Sequence, residues 1–528
     1  MLSTLDLSVI GVYAAVLLAA ALYVSTRKTT GDMSSEDYFL AGKSLPWWAI
    51  GASLIAANIS AEQIIGQSGQ GFVVGLAIAA YEWQAAIVLI IVAKYFLPIF
   101  LEKKIYTMPQ FLDQRFGPQI KSLMAVFWVV LYTAVNLTAV LWLGGLALTA
   151  LTGWGVMGSM IALAAFAVVY SLYGGLKAVA LTDIIQVVVL VAGGFAITAV
   201  VLDMVGDGGG MAAGLGVLMG ELPGHFKMIL ADDHPSYGNL PGIWTLLGGL
   251  WVLHFSYWGF NQYIIQRALG AESLAEAQKG LAFAAALKLL IPLIVVIPGI
   301  AALYLAQQGK LDMTALQTSP DSTYGILMTL VPEGLRGLVF AALIAAIVSS
   351  LASMMNSIST IFTMDIYRDM IARDKSEAHY VRVGRITAAI AIAIAVILAR
   401  PFLGGLESAF QLIQEYTGFI APGVVSVFLL GMFWKGCNAQ GAFAMLLVSV
   451  AANIVLKFAT PDLAFIIRIW FVFLSCLALG FVVSRVSGKG DDARAIDLGV
   501  MQFATSRGFN RSAIVLCAVL VAIYVVFW

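Results

Sequence analysis

Apolar residues in this chain come in runs of helix length, separated by short polar stretches. A hydrocarbon layer of ~30 Å takes about 20 residues of helix to cross. Read with that window, the runs fall near residues 7–25, 46–72, 76–101, 122–150, 156–173, 176–203, 243–266, 280–306, 333–364, 381–399, 405–434, 438–456, 463–484 and 510–528. The pattern predicts an all-α integral membrane protein of fourteen transmembrane helices. The longest stretch between runs, 204–242, carries Gly208, Gly209 and Gly210 and reads as an outer loop, so residues 1–528 form one integral domain.

Composition makes the membrane the solvent: 61% of the 528 residues are hydrophobic and 11% charged, against roughly 45–50% and about 25% in soluble domains. The net charge is zero and no long basic or acidic run occurs, which points away from nucleic acid, and no protein partner is called for. With the N-terminus outside, the loops carrying Arg27, Lys28 and Lys43, then Lys103, Lys104, Arg115 and Lys121, then Arg368 to Arg385, then Arg485 to Arg511 all fall inside. That side then holds about 21 of the 29 Lys and Arg, against about six outside. The expected location is the cell inner membrane, with both termini on the outer, periplasmic side. The first run has no basic stretch before it and is followed by Arg27 and Lys28, the order of a retained anchor. Cys437, Cys476 and Cys517 suggest neither a disulfide framework nor a metal site. No G-x-x-x-x-G-K-[ST] phosphate loop is present, which argues against an ATP-driven pump.

Polar residues inside the runs carry the chemistry, because a charge at the centre of a span costs at least ~2.5–3.5 kcal/mol on insertion scales. The second run places Ser53, Asn58, Ser60, Glu62 and Gln63 where a lipid-facing helix would be apolar. The seventh has a comparable interruption from His254 to Gln262, with Gly259 and Asn261 at its middle. The two stand five spans apart in order, the spacing of an inverted repeat of five plus five helices whose broken members expose backbone groups at mid-membrane. Kinks or close packing are the alternative. Glu82, between Tyr81 and Trp83, is either a site residue or an interfacial group snorkelling to water. Lys288, eight residues and ~12 Å into a span that starts at Gly280, needs an acceptor: a solute hydroxyl, a carbonyl or Glu82. Asn136, Gln414 and Glu415 add further polar groups. Such amides, with one carboxylate and one ammonium, suit a pocket that reads hydroxyls while Tyr and Trp stack on an apolar ring face.

In the ninth run Ala346, Ser349, Ser350, Ser353 and Ser357 share one helical face. Close helix packing is one reading; the other is ligation of a small hard cation such as sodium by neutral oxygens. Asp183 is the nearest candidate for an added carboxylate, with a helix-end cap or interfacial residue as its alternative.

Longer strings carry a resemblance: Asp37 to Trp48 (DYFLAGKSLPWW), Ala56 to Gln63 (AANISAEQ), Trp258 to Arg267 (WGFNQYIIQR), and Ser349 to Ser353 (SSLAS) followed by Thr363 to Tyr367 (TMDIY). In these the chain resembles the solute:sodium symporters, on the branch of sodium/galactose and sodium/glucose carriers, nearly end to end. The resemblance implies a leucine-transporter-type fold with one helix before the repeats and three after them. The divisions are 1–45 (leading helix and loop), 46–203 (first repeat), 243–434 (second repeat) and 435–528 (trailing helices). It implies sodium held by backbone oxygens of Ala56, Ile59 and Ala346 and hydroxyls of Ser349 and Ser350, with Asp183 a possible addition. It also implies a sugar met by Gln63, Glu82, Asn136, His254, Tyr257, Asn261, Lys288 and Gln414, with Tyr257 as inner gate and Gln67, Tyr81 and Phe410 on the outer side. Three positions depart from the galactose carriers: His254 for asparagine, Ala85 for serine and Gln67 for methionine. The expected activity is sodium-coupled symport of a galactose- or glucose-type hexose, without catalysis. Other readings keep the fold with myo-inositol, sialic acid or another polyol, or make the chain a solute sensor or a channel.

Overall fold

The computed structural model describes residues 2–26, 34–171, 175–403, 409–488 and 493–528. Arg27, Lys28, part of the last basic loop (489–492), and the edges of two apolar runs at 172–173 and 405–408 lie outside the described residues. Among the described residues the regular structure is helical, apart from one parallel bridge that joins Leu45 to Ala271. Helices satisfy their own backbone groups, which a segment in lipid must do. Among the described residues nine helices are long and apolar enough to cross a membrane, and the three shorter apolar ones are Thr4–Ala20, Val156–Val169 and Ala421–Phe433. One further pair, Trp47–Asn58 and Glu62–Val73, is bent by 59° at its break. The molecule is therefore a multi-pass membrane protein.

Burial sorts these helices into a centre and a rim. Leu335–Ile371, which carries the serine stripe, has 89% of its apolar window buried, whereas Arg507–Val526 has 17%. Rim helices expose large apolar side chains such as Phe458, Ile397 and Val486, which suits contact with acyl chains. The broken helix and Leu274–Gln307 cross closely because two glycines meet there. A Cβ on Gly71 would stand 2.6 Å from the Val296 carbonyl oxygen, and one on Gly299 would overlap the Ser68 carbonyl.

Buried ions pin the ends. Asp6 accepts from Gly334 N (2.8 Å), Gly337 N (2.9 Å) and Arg336 (2.8 Å), which fastens the leading helix to the start of Leu335–Ile361. Arg115 donates to the carbonyls of Gly431 (2.8 Å), Trp434 (3.3 Å), Lys435 (3.3 Å) and Cys437 (2.6 Å), so one guanidinium caps the exit of Ala421–Phe433.

Two local expectations change. The 204–242 stretch holds a helix, Gly210–Glu221, rather than loop alone. The helix bearing Lys288 begins at Leu274 rather than Gly280, which puts the lysine fourteen residues, ~21 Å of helix, from its start.

Candidate functional site

The second span breaks because Asn58, Ile59 and Ser60 offer the backbone other partners. The first half ends at Asn58. Ser60 Oγ and Ser60 N both donate to Gln63 Oε1 (2.7 and 3.0 Å), and Ser60 Oγ accepts from Glu62 N (3.1 Å). This is a reciprocal cap that starts the second half in a new direction. Its first turn, Glu62–Gly66, is π-helical. The seventh apolar run breaks in the same manner: Leu250–His254 runs into a π-turn, Phe255–Gly259, and Asn261 caps the next helix through Tyr263 N (3.2 Å) while accepting from Tyr132 OH (2.9 Å). A third π-turn, Tyr132–Leu137, carries Asn136. Such turns push side chains out of helical register.

These three irregular stretches face one another across a central cavity of about 90 Å³. Gln63, Glu82, Asn136, His254, Tyr257, Asn261, Lys288 and Gln414 all line it, together with Gln67 and Tyr81. Phe410 does not reach the cavity; it packs edge-on to Tyr81, with ring centroids 5.4 Å apart.

The charged groups are dry. Glu82 and Lys288 are 2% and 1% exposed. Lys288 donates to Glu82 and to Asn58, and its ammonium stands 4.9 Å from the centre of the Trp258 ring. Glu82 also accepts from Gln67 Nε2 at 2.7 Å. Neither residue snorkels to an interface. Asn58 in turn donates to the Tyr257 hydroxyl (3.1 Å), and Gln414 donates to Glu62 (3.3 Å).

Hydrogen-bonding capacity is left over on this surface. Gln67 Oε1, Tyr81 OH, Asn136 Oδ1 and His254 Nε2 are buried without a partner among the described residues. The carbonyl ends of Gln63 and Asn261 are used by the caps, which leaves their N–H groups for the cavity. The site thus presents both acceptors and donors, and an unmet buried group costs about 1–3 kcal/mol.

Below the cavity, the serine helix meets the end of the first half-helix. Ser350 Oγ donates to the Ala57 carbonyl at 3.1 Å, and Ser349 Oγ to Asp183 at 2.6 Å. Ala56, Ile59 and Ala346 are buried beside them. Asp183 also accepts from Ser53 and lies 3.5 Å from Arg267, with no exposed surface. Further along the stripe, Ser353 accepts from Arg267 and Ser357 donates to Gln266 (2.9 Å), which is packing against Gln262–Leu269.

Sequence reasoning marked Asn58 and Glu62 as misplaced polar residues without assigning them to the cavity, and it missed the aromatic walls Trp128, Tyr132 and Trp258. Nothing distinguishes those rings from packing aromatics until the helices are assembled. Arg267 stood at the end of a quoted string; its buried carboxylate partner is 84 residues away.

The family model described as the sodium:solute symporter family matches residues 38–449. A sodium/glucose cotransporter of Vibrio parahaemolyticus is 50% identical over 537 residues, spanning 100% of this chain and 99% of the relative. Sodium/glucose cotransporter 4 of Danio rerio is 34% identical over 86% of this chain and 72% of its own length, and a Bos taurus sodium/myo-inositol cotransporter 31% over 87% and 68%. Among solved structures, a substrate-bound outward-open Na⁺-coupled sialic acid symporter shares the fold, with a TM-score of 0.79 and 22% identity over 92% of this chain and 98% of that one.

Proposed function

We infer function from one premise, that the chain belongs to the sodium:solute symporter family: it is a sodium-coupled symporter, and its solute is a neutral hexose of the glucose or galactose type. The observation that carries the choice of solute is the mixture of unmet acceptors and free donors around the cavity. A hydroxyl is the group that both donates and accepts, and a sugar presents several in fixed directions. In this reading Lys288, Glu82, Gln63, Asn136, Asn261, His254 and Gln414 hold the hydroxyls and Tyr257 stacks on the ring as the inner gate. Gln67, Tyr81 and Phe410 close the outer side.

An acid sugar fits less well. Two carboxylates, Glu62 and Glu82, stand against one ammonium, and that ammonium is already engaged by Glu82 and Asn58. A neutral polyol such as myo-inositol remains the second reading, favoured by the relative that carries that name.

Sodium, as co-substrate, sits between the broken helix and the serine helix. The carbonyls of Ala56, Ile59 and Ala346 and the hydroxyls of Ser349 and Ser350 face it, with Asp183 as a nearby counter-charge. A serine that donates its proton to Asp183 or Ala57 keeps oxygen lone pairs for a cation, which supports this set. Sodium then holds the first half-helix against the centre of the bundle and completes the sugar pocket; its release inside loosens both. One charge crossing 100 mV supplies ~2.3 kcal/mol and a tenfold gradient ~1.4 kcal/mol, enough at one sodium per sugar for accumulation of roughly several hundredfold. About 90 Å³ is far below the ~300–1,000 Å³ of a small-molecule site, so the walls must move to admit the solute.

The architecture extends the same way. The nine spans, the bent pair, the three shorter apolar helices and the interrupted segment around Leu250–Gly259 make fourteen crossings. The two breaks sit at corresponding positions of a five-plus-five inverted repeat, 46–203 and 243–434, with 1–45 before and 435–528 after, in one domain. The basic loops orient both termini to the periplasmic side of the inner membrane.

The test is uptake into proteoliposomes after a sodium jump, with labelled glucose and galactose and with unlabelled myo-inositol and sialic acid as competitors. Saturable hexose accumulation that needs Na⁺ and fails in K⁺ is expected; equal uptake in K⁺, or displacement only by an acid sugar, overturns the reading.

A further inference from the structure

A second concavity, about 700 Å³, lies away from the central cavity between the helix Leu274–Lys288 and the helix Arg507–Val526. Its lining combines the polar Lys279, Ser506 and Arg511, near the starts of these helices, with the apolar Phe283, Ala286 and Leu516 further along them. From Lys279 to Leu289 the wall is ten residues of helix, ~15 Å, which is half of a ~30 Å hydrocarbon layer and therefore the depth of one leaflet. Arg507–Val526 is the least buried of the long spans, so the groove opens toward lipid. At the mouth Trp47 stacks edge-on against Phe283, centroids 5.4 Å apart, and keeps 38% of its surface exposed, as interfacial tryptophans do.

Charge selects the occupant. Lys279 is neutralised by Glu276 at 2.9 Å. Arg511 is exposed and makes no ion pair or hydrogen bond among the described residues. The groove is thus a leaflet-deep apolar slot under one uncompensated guanidinium. We propose that it seats one anionic phospholipid, an acyl chain along Phe283 and Ala286 and the phosphate on Arg511. A second copy of the chain would bring the same positive mouth against this one, which argues against self-association here. The slot is walled by the helix that ends in Lys288 and touches Trp47 at the start of the broken helix, so its occupant braces two elements of the transport site.

The experiment is native mass spectrometry of the purified full chain with dioleoylphosphatidylglycerol and, separately, dioleoylphosphatidylcholine. The wild type is expected to retain one phosphatidylglycerol under conditions that strip phosphatidylcholine. Arg511→Gln should lower that retention about tenfold, the loss of one charge-assisted bond, and Arg511→Lys should restore most of it. Ala286→Trp, which fills the slot, should abolish it; if that variant fails to fold, the two changes at exposed Arg511 decide alone. Equal retention of both lipids by the wild type, wild-type retention by Arg511→Gln, or lipid found only on dimers overturns the proposal.

Discussion

Lys288→Met tests the centre of the argument, because it removes a charge and keeps the volume of an unbranched side chain. An ammonium has three donors. Glu82 and Asn58 take two, so one remains for a solute hydroxyl. A hydrogen bond to a charged group is worth about 1.5–3 kcal/mol, and apparent sugar affinity should therefore fall roughly ten- to 150-fold. The substitution also strands the Glu82 carboxylate, 2% exposed, with Gln67 as its remaining donor. Breaking a buried pair in this way costs about 3–5 kcal/mol. Adding Glu82→Gln should recover part of that loss, since the stranded charge is gone. The assay has two readouts: sodium-driven uptake in proteoliposomes for the affinity, and thermal denaturation in detergent for the four members of the cycle. Wild-type uptake by Lys288→Met would remove the lysine from the solute site. Melting losses that simply add would show that Glu82 and Lys288 are not an energetic pair.

The other expected outcomes concern the ion, the selectivity and the scaffold. Ser350→Ala should raise the sodium concentration for half-maximal uptake roughly tenfold, about the worth of one neutral oxygen ligand; an unchanged sodium curve takes this hydroxyl out of the ion site. His254→Asn should shift preference toward galactose, because it replaces an unmet ring nitrogen with an amide that both donates and accepts, and identical competition profiles before and after refute it. Arg115→Lys should lower the melting temperature without altering sodium affinity, since a point-charge donor cannot reach the four carbonyls that the planar guanidinium caps; unaltered melting denies the cap its role.

Much of the site was legible because hydrocarbon punishes polarity residue by residue. Each of Glu82, Asn136, Lys288 and Gln414 stands out against its own neighbours in the sequence, and each lines the cavity. The break after Asn58 was legible for the same reason: Ser, Asn and Gln close together give the backbone local partners that compete with the helix. The interruption from His254 to Gln262 was legible too, but not that Phe255–Gly259 and Tyr132–Leu137 are π-turns, since a single extra residue per turn does not alter hydropathy. The serine stripe was legible as a face but not as two sets of partners, because Ser349 and Ser353 differ only in which helix stands opposite.

The chain by itself determined that it lives in a bilayer, roughly where it crosses, which helices break and which polar side chains are out of place, because lipid acts as a solvent on each residue in turn. Only the assembled bundle decided who pairs with whom. Lys288 meets Glu82 across 206 residues, and Asp183 meets Ser349 across 166 and Arg267 across 84. Such partnerships are set by which helices cross and at what depth, and the close approach of Gly71 and Gly299 is one of the contacts that fix it. A buried charge shows in the sequence as a cost, and its compensation appears only in three dimensions.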